Sequence, residues 1–196
     1  MMESTNTHQG RRISSGFAGW TLVPALAMGI ALGSPAASAH ADDAGLAKYA
    51  GSYKYDGTKE EAEKVVSKAI DDALSQLNMV MRMMVKKAIE MRPGQKFIDT
   101  ILIETPSGQI GLKMGEHEKV VLKINKPKTM ERDGKSGKVT HKWSGGKITQ
   151  VLEGDNGKVT NVLTLAKDGK TLHRDVTITS ERLKKPIKYR LDYKRK

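Results

Sequence analysis

The chain of 196 residues contains no cysteine. Disulfides are therefore excluded, and so is a lipid anchor attached to an N-terminal cysteine after export. The core must be held by packing alone, even if the protein works in an oxidising compartment.

The chain also lacks a hydrophobic run long enough to span a membrane. Its longest apolar stretch, residues 20–33, falls short of the roughly 20 residues that a spanning helix needs. Arg11 and Arg12 precede this stretch, and small residues with two overlapping Ala-x-Ala cleavage patterns follow it at 37–41. This order is typical of a cleavable secretion signal. We therefore expect residues 1–41 to be removed and the rest to be a soluble exported protein, periplasmic or secreted.

Two alternatives concern this leader. A buried N-terminal helix is one, but the Ser-Pro-Ala-Ala-Ser-Ala-His-Ala segment at 34–41 is a poor helix continuation. Twin-arginine export is the other, but Ile-Ser-Ser follows the arginine pair where bulky apolar residues would be expected. General secretion is the favoured route.

Acidic residues are few relative to basic ones. The chain has 22 Asp and Glu against 34 Lys and Arg, for a formal net charge of +12. Such an excess favours anionic partners such as phospholipid headgroups, an acidic ligand, a cell-wall polymer or nucleic acid. Because no Arg-rich tract and no basic patch interleaved with aromatics is present, we do not expect nucleic acid among them. A solvated basic surface without a partner is the alternative.

Motifs that carry catalysis are lacking as well. The sequence has no nucleophile elbow and no Gly-rich phosphate loop, and its carboxylates are scattered. His117, His141 and His173 are isolated and lack the spacing of metal ligands. His141 shares a strand face with Val139 and Trp143, which leaves a satisfied interior histidine and a haem-facing one as alternatives there. We expect no enzyme activity, no metal and no cofactor.

What is present begins with a short strand pattern over 49–55 that ends at an Asp-Gly turn signal. Thr58 then caps an amphipathic helical pattern that stops at an Arg-Pro-Gly breaker. One continuous helix of this length would extend for about 50 Å, too long for a compact domain of this size. The pattern therefore predicts two packed helices with a bend at Asn78, together covering residues 58–92.

From residue 96 onward, apolar residues recur with the period of two that is typical of strands. Turn signals rich in Gly, Asp and Asn separate the candidate strands and are too short for crossover connections. Nine strands are predicted, over 96–105, 109–114, 119–124, 129–132, 138–143, 147–153, 158–166, 170–180 and 186–194. The predicted fold is therefore mainly β, an antiparallel meander closed into a barrel or clam, with two helices between strand 1 and strand 2. We assign residues 42–196 to this single domain and residues 58–92 to a helical lid.

This order of elements, with the segments GSYK at 51–54 and DGTKE at 56–60, resembles the fatty-acid-binding-protein branch of the calycins. The first segment is also similar to the Gly-x-Trp opening of lipocalins, with Tyr53 in place of Trp. The resemblance implies a barrel that binds a hydrophobic ligand beneath a helical lid.

Proteins of that branch commonly hold a ligand carboxylate with an Arg-x-Tyr pair on the last strand. In this chain the last strand reads KYRLDY over 188–193, so the pair is missing in that spacing. Alternation places Tyr189, Leu191 and Tyr193 on one face and Arg190 on the other. If the apolar face points inward, Arg190 lies outside and the carboxylate clamp does not carry over.

The leading hypothesis is an exported monomer that sequesters or carries a hydrophobic or amphipathic ligand, such as a fatty acid or envelope lipid. The candidate lining residues are Tyr53, Trp143, Leu163, Val176, Ile178, Tyr189, Leu191 and Tyr193 in the barrel, and Leu77, Val80, Met83 and Met84 in the lid. The methionines of the lid are either ordinary core or a flexible cover for the ligand. Arg82, Lys86 and Lys87 beside them suit a transient contact with an anionic membrane surface.

A second function stays open at this point. It is a cell-envelope interaction protein that binds an anionic polymer or partner through its basic exterior and has no ligand cavity.

Overall fold

A computed structural model describes residues 44–90, 97–132, 135–155 and 157–196. The predicted secretion signal and its cleavage sites lie outside these residues. The Arg-Pro-Gly segment at the end of the predicted lid also lies outside them.

Two helices follow the first strand, as the sequence predicts. Strand β1 covers Gly51–Tyr55, α1 covers Lys59–Leu74 and α2 covers Met79–Glu90. Thr58 caps α1, because its Oγ1 accepts a hydrogen bond from Glu61 N (3.2 Å) while Thr58 N donates to Glu61 Oε2 (2.8 Å). This capping box satisfies two backbone amides at the start of the helix. The predicted break near Asn78 is confirmed.

Nine more strands complete the described fold. They are β2 (Thr100–Glu104), β3 (Gln109–Met114), β4 (Val120–Lys123), β5 (Lys128–Arg132), β6 (Lys135–Ser144), β7 (Lys147–Gly154), β8 (Gly157–Leu165), β9 (Thr171–Thr179) and β10 (Ile187–Arg195). Each corresponds to a strand that the sequence predicts. Most boundaries differ only slightly from the prediction.

All ten strands form one antiparallel sheet in the order β4-β3-β2-β1-β10-β9-β8-β7-β6-β5. Strand β1 pairs with both β2 and β10, which joins the first and last strands of the meander. The edge strands β4 and β5 are not paired with each other within the described residues. Asn125, in the connection between them, donates its backbone N–H to His141 O at 2.8 Å. The sheet is therefore a nearly closed barrel, and the predicted fold class is confirmed.

The antiparallel order sorts the connections onto two ends of the barrel. One end carries α1, α2 and the connections after β3, β5, β7 and β9, and we call it the helical end. The connections after β2, β4, β6 and β8 lie at the opposite end, which we call the far end. A ligand could therefore reach the inside of the barrel at either end or at the edges of β4 and β5, which are unpaired within the described residues.

Two groups of buried side chains form the core. The larger group, which we call the barrel cluster, consists of Leu46, Tyr49, Tyr53, Ala62, Ile98, Ile101, Ile103, Ile110, Leu112, Met114, Ile148, Leu163, Leu172, Leu191 and Tyr193. The smaller group, which we call the helix-side cluster, joins α1 to β9 and β10 and consists of Ile70, Ala73, Leu74, Val176, Ile178 and Ile187. The alternating burial of β9, in which every second residue is buried, shows the period of two that the sequence predicts.

The segment that precedes β1 closes the far end. Tyr49 is buried. Its hydroxyl donates a hydrogen bond to Gly146 O at 2.6 Å and accepts one from Leu165 N at 2.8 Å. Its ring meets Trp143 edge to face with the ring centroids 5.5 Å apart. Leu46 is buried beside it in the barrel cluster. Tyr49 thus connects the chain before β1 to the turn between β6 and β7 and to the end of β8.

Candidate ligand-binding site

The structure divides the predicted lining residues among three places. Those that belong to the barrel cluster or pack against it are Tyr53, Leu163, Leu191 and Tyr193, with Trp143 and Tyr189 partly buried. Those that belong to the helix-side cluster or pack against it are Val176 and Ile178, with Leu77 and Tyr189 partly buried. The remaining three, on α2, are Val80, Met83 and Met84. Tyr189 contacts both clusters and therefore marks the boundary between them.

Helix α2 turns an apolar face outward. Its members, which we call the exposed lid face, are Met79, Val80, Met83 and Met84, and their exposed fractions are 75%, 62%, 58% and 63%. The other side of α2 rests on the protein, where Val85 packs against the helix-side cluster and Lys86 Nζ lies 3.1 Å from Asp71 Oδ1 of α1. The prediction that Val80, Met83 and Met84 line the interior is thereby corrected. The same exposure excludes a core role for Met79, Met83 and Met84.

Four polar side chains are buried on the inner face of the barrel. They are His141, Gln150, Asn161 and Arg174, with exposed fractions of 0%, 6%, 1% and 4%. Each comes from a different one of the consecutive strands β6, β7, β8 and β9. Cross-strand register places His141 opposite Gln150 and Gln150 opposite Asn161.

Hydrogen bonds join these four side chains into a continuous row that ends on a backbone carbonyl. Arg174 Nε donates to Asn161 Oδ1 at 3.0 Å, and Asn161 Nδ2 donates to Gln150 Oε1 at 3.1 Å. Gln150 Nε2 lies 3.2 Å from His141 Nε2, and His141 Nδ1 lies 2.8 Å from Ile110 O on β3. We call this arrangement the polar row. It satisfies the groups that burial would otherwise leave without partners.

Arg174 is the charged member of the polar row. Among the described residues, its side-chain partners are neutral: Asn161, and Tyr193 of the neighbouring strand. No described carboxylate forms an ion pair with it. Because a buried guanidinium without a counterion is unfavourable, this position provides a strong attraction for an anion that reaches it.

Two tyrosines lie beside Arg174. Burial raises the pKa of Tyr193, and the nearby Arg174 opposes that rise; the same two influences act on the pKa of Tyr189. Both hydroxyls therefore keep their protons at neutral pH and remain hydrogen-bond donors. The hydroxyl of Tyr193 donates to Ile98 O at 2.9 Å.

The outer face of the same strands carries ordinary surface pairs. Arg190 is exposed and binds Asp175 through two hydrogen bonds of 2.7 and 2.8 Å, so the predicted outward position of Arg190 is confirmed. His173 Nδ1 lies 2.7 Å from Asp192 Oδ1. These groups are separated from the polar row by the sheet itself.

Solved structures that are similar to this chain share its barrel. The secretary abundant heat soluble (SAHS) protein of Ramazzottius varieornatus is 12% identical, with a TM-score of 0.50 over 76% of this chain and 96% of that one. Fatty-acid-binding protein 1 of Echinococcus granulosus is 9% identical, with a TM-score of 0.47 over 76% and 97%. Lipid binding protein 8 of Caenorhabditis elegans is 12% identical, with a TM-score of 0.45 over 76% and 96%. No protein-family model and no curated protein sequence matches the chain.

The helix pair between β1 and β2 and the nearly closed ten-stranded meander decide the classification. The fold is fatty-acid-binding-protein-like. The predicted resemblance to this branch of the calycins is therefore confirmed at the level of the fold. In this chain, Arg174 of β9 and Tyr193 of β10 lie together inside the barrel on two neighbouring strands.

Sequence reasoning missed Gln150, Asn161 and Arg174, and it left the role of His141 open. A usable signal exists, because each polar residue occupies an inward position between apolar ones. Asn161 lies two residues after Val159 on β8, and Arg174 lies two residues after Leu172 on β9. For His141, the satisfied-interior alternative is confirmed by its burial and its contacts with Ile110 and Gln150.

Other sites in the described residues are less suited to an apolar ligand. A cleft of about 360 Å³ opens at the helical end between the connections after β7 and β9, and its lining includes the charged residues Glu153, Asp155, Lys158, Glu181 and Arg182. The described residues contain no cluster of three or more metal-ligating side chains. None of the described helices has the length and apolar character that crossing a membrane requires.

We expect the stability of the protein to depend on pH through His141. Burial lowers the pKa of His141 from its ordinary 6.5, and the hydrogen bond to Ile110 opposes this change. At a pH between the folded-state and unfolded-state pKa values, His141 binds a proton in the unfolded chain but not in the folded one. The free energy of unfolding should therefore fall as the pH drops below about 6.5, by at most about 1.4 kcal/mol per pH unit, until the pH reaches the folded-state pKa. Urea unfolding at pH 7.5 and pH 5.5 measures the loss.

The matched variant is His141→Asn, whose amide can still donate to Ile110 O. It should lose less stability than the wild type between the two pH values. An equal loss in both proteins would show that His141 is not held neutral by the fold.

Proposed function

We propose that the protein binds an amphipathic anionic ligand, with the headgroup held at Arg174 inside the barrel. The observation that carries this proposal is the buried guanidinium of Arg174, whose described partners are all neutral. An anionic headgroup would supply the missing counter-charge. Bonds of this charge-assisted kind are roughly twice as strong as neutral ones.

The apolar part of the ligand fits against the helix-side cluster. Several apolar side chains around this cluster are only partly buried, so apolar surface beside it stays accessible. They are Val66 and Ala69 of α1, Leu77, Val85 of α2, Val159 of β8, Leu183 and Tyr189 of β10. Because Tyr189 lies between this surface and Arg174, a ligand with its tail under the helices would point its headgroup toward the guanidinium.

Fatty acids and envelope lipids are the ligand class that this arrangement favours. The similar structures named above include a fatty-acid-binding protein and a lipid binding protein, and their likeness supports the fold alone. The role in this chain would be sequestration and carriage without a chemical step.

A headgroup series tests the proposal. Palmitate, hexadecanol and hexadecyltrimethylammonium share one chain length and carry a negative, a neutral and a positive headgroup. We expect palmitate to bind at least about 30-fold more tightly than hexadecanol, because a hydrogen bond to a charged group contributes about 2 kcal/mol. Isothermal titration and native mass spectrometry measure the affinities and the stoichiometry.

Equal affinity for the acid and the alcohol would contradict the headgroup assignment. Failure of all three to bind, together with salt-sensitive binding of an anionic polymer such as heparin, would favour the envelope-interaction function instead.

The ligand would be exchanged at an anionic membrane surface that contacts the helical end. The exposed lid face provides apolar side chains, and the connection after β9 and the start of β10 provide exposed basic residues at the same end. Leu183 in that connection and Val85 of α2 pack against the same helix-side cluster, so the connection and α2 lie at the same end of the barrel. The basic residues are Arg182, Lys184, Lys185 and Lys188.

We expect the double variant Lys184→Glu, Lys185→Glu to bind phosphatidylglycerol vesicles at least about tenfold more weakly, since each basic residue near such a surface contributes about 1 kcal/mol. The matched control is Lys142→Glu, Lys147→Glu, which reverses two exposed charges toward the far end. Vesicle co-sedimentation measures both. An equal loss in the two double variants would show that only net charge matters and would reject this contact surface.

We also propose that the protein works outside the cytoplasm. This rests on the sequence pattern of residues 1–41 alone. N-terminal sequencing of the protein from cell fractions should find a chain that starts at Asp42 in the periplasm or the medium. An unprocessed N-terminus in the cytoplasm would refute it.

A further inference from the structure

The polar row has a direction, which its two ends determine. Arg174 Nε can only donate a hydrogen bond, and Ile110 O can only accept one. Each amide between them has one oxygen and one NH₂ group, so it accepts on one side and donates on the other. The orientation of Asn161 and Gln150 is therefore fixed, and His141 carries its proton on Nδ1 and accepts at Nε2.

A second proton on His141 would reverse this direction. Nε2 would then become a donor facing the NH₂ group of Gln150, which is also a donor. Rotation of the Gln150 amide by half a turn would restore that hydrogen bond, but it would turn the NH₂ group of Gln150 toward the NH₂ group of Asn161. Rotation of Asn161 would follow, and its NH₂ group would then face Arg174 Nε, which would have lost its acceptor.

We propose that protonation of His141 is relayed through Gln150 and Asn161 to Arg174, and that it releases the guanidinium for an anionic ligand. The second half of this statement rests on the proposed function. Acid would strengthen anion binding, because Arg174 loses a competing acceptor while the interior gains a positive charge. By linkage, a bound anion would raise the pKa of His141 in return.

The side chains around His141 offer few other ways for its protonation to affect Arg174. The titratable side chains at inward positions near it are Lys128 of β5, which is exposed, Arg174 of β9, and Tyr189 and Tyr193 of β10. The described inward positions of β3, β6 and β7 carry no carboxylate. Burial lowers the pKa of His141, so the switch would operate below the ordinary value of 6.5.

Nuclear magnetic resonance of the ligand-free protein tests the relay directly. The signals to follow between pH 8 and pH 4 are the ring nitrogens of His141, the side-chain amides of Gln150 and Asn161, and Nε–H of Arg174. We expect Arg174 Nε–H to shift with the same midpoint as His141. In Gln150→Leu, which cuts the row, that shift should disappear while His141 still titrates.

His173 provides the matched control. It is adjacent to Arg174 in sequence but lies on the outer face with Asp192, so the variant His173→Gln should leave the shift of Arg174 Nε–H unchanged. If the Nε–H signal of Arg174 does not shift while His141 titrates, the relay is overturned. A His141 that stays neutral down to pH 4 would overturn it as well.

A ligand experiment separates this proposal from the one on which it rests. Dodecyl sulfate, used below its micellar concentration, keeps its charge throughout this pH range. We expect it to bind more tightly at pH 5 than at pH 7.5, by up to about tenfold for each unit by which the bound anion raises the pKa of His141. The ratio should be smaller in Gln150→Leu, where only the direct attraction between protonated His141 and the anion remains.

The two possible failures differ. If Arg174 Nε–H follows His141 but dodecyl sulfate does not bind, the relay stands and the proposed function fails. If dodecyl sulfate binds with an affinity that is independent of pH, the proposed function stands and the relay is overturned.

Discussion

Replacement of Arg174 by methionine is expected to weaken palmitate binding by roughly 30- to 150-fold, because a hydrogen bond to a charged group contributes about 2–3 kcal/mol. Methionine has a similar length and fills much of the same space without the charge. Affinity for hexadecanol should change little, since its neutral headgroup gains less from the guanidinium. Titration calorimetry on both ligands measures the ratio. The effect to look for is the loss of preference for the acid.

Arg190→Met is the matched control for this experiment. Arg190 lies on the adjacent strand but outside the barrel, where it is exposed and paired with Asp175. Its replacement should leave the palmitate affinity unchanged. If the two variants lose affinity equally, the effect comes from net charge and the interior anchor is rejected. Because Arg174→Met removes the donor to Asn161 Oδ1, its fold should be checked by circular dichroism.

The second large effect is expected at the far end, where Tyr49→Ala should lower the free energy of unfolding by about 3–5 kcal/mol. The substitution removes a buried ring, its edge-to-face contact with Trp143 and both hydrogen bonds of its hydroxyl. Gly146 O and Leu165 N would lose their partner. Urea unfolding measures the loss, and the emission of Trp143 should move to longer wavelength as water reaches the ring.

Tyr49→Phe separates packing from hydrogen bonding at the same position. It keeps the ring and removes the hydroxyl, so a smaller loss of about 1–3 kcal/mol is expected. An unchanged stability in Tyr49→Ala would mean that the segment before β1 does not close the barrel. In that case the far end would have to be considered as a ligand entrance.

The strands and turns could be predicted from the sequence because their signals are local. A period of two and a Gly-containing turn determine which residues face inward, whatever the distant parts of the chain do. Strand β10 shows this, since the alternation placed Leu191 and Tyr193 inside and Arg190 outside, as the structure has them. The break between α1 and α2 followed from the length of the helical pattern and the size of the domain.

The helix faces could not be predicted in the same way. Apolar residues of α2 surround most of the helix, so the sequence does not show which side contacts the protein. That choice depends on where α1 and the barrel wall lie. The structure places Val85 against the helix-side cluster, and this leaves Met79, Met83 and Met84 on the outer side.

The polar row was missed for a different reason. A buried polar residue without a partner costs free energy. A single polar residue at an inward position of a strand therefore looks like an irregularity in the alternation and not like part of a site. The residues make sense only as a set, because His141, Gln150, Asn161 and Arg174 satisfy one another across four strands. Their proximity depends on strand register. The turn signals constrain the register but do not determine which residue of one strand faces which residue of the next.

The position of a bound headgroup shows whether Arg174 is the anchor. Palmitate labelled with ¹³C at the carboxyl carbon can be bound to ¹⁵N-labelled protein, and solid-state dipolar recoupling then measures the distance from that carbon to the guanidinium nitrogens. With Arg174 as the anchor, the carboxyl carbon should lie within about 4.5 Å of a guanidinium nitrogen, as in a hydrogen-bonded pair. The contact should vanish in Arg174→Met and persist in Arg190→Met. A bound carboxyl group that shows no such contact, or one that persists without Arg174, would contradict the account.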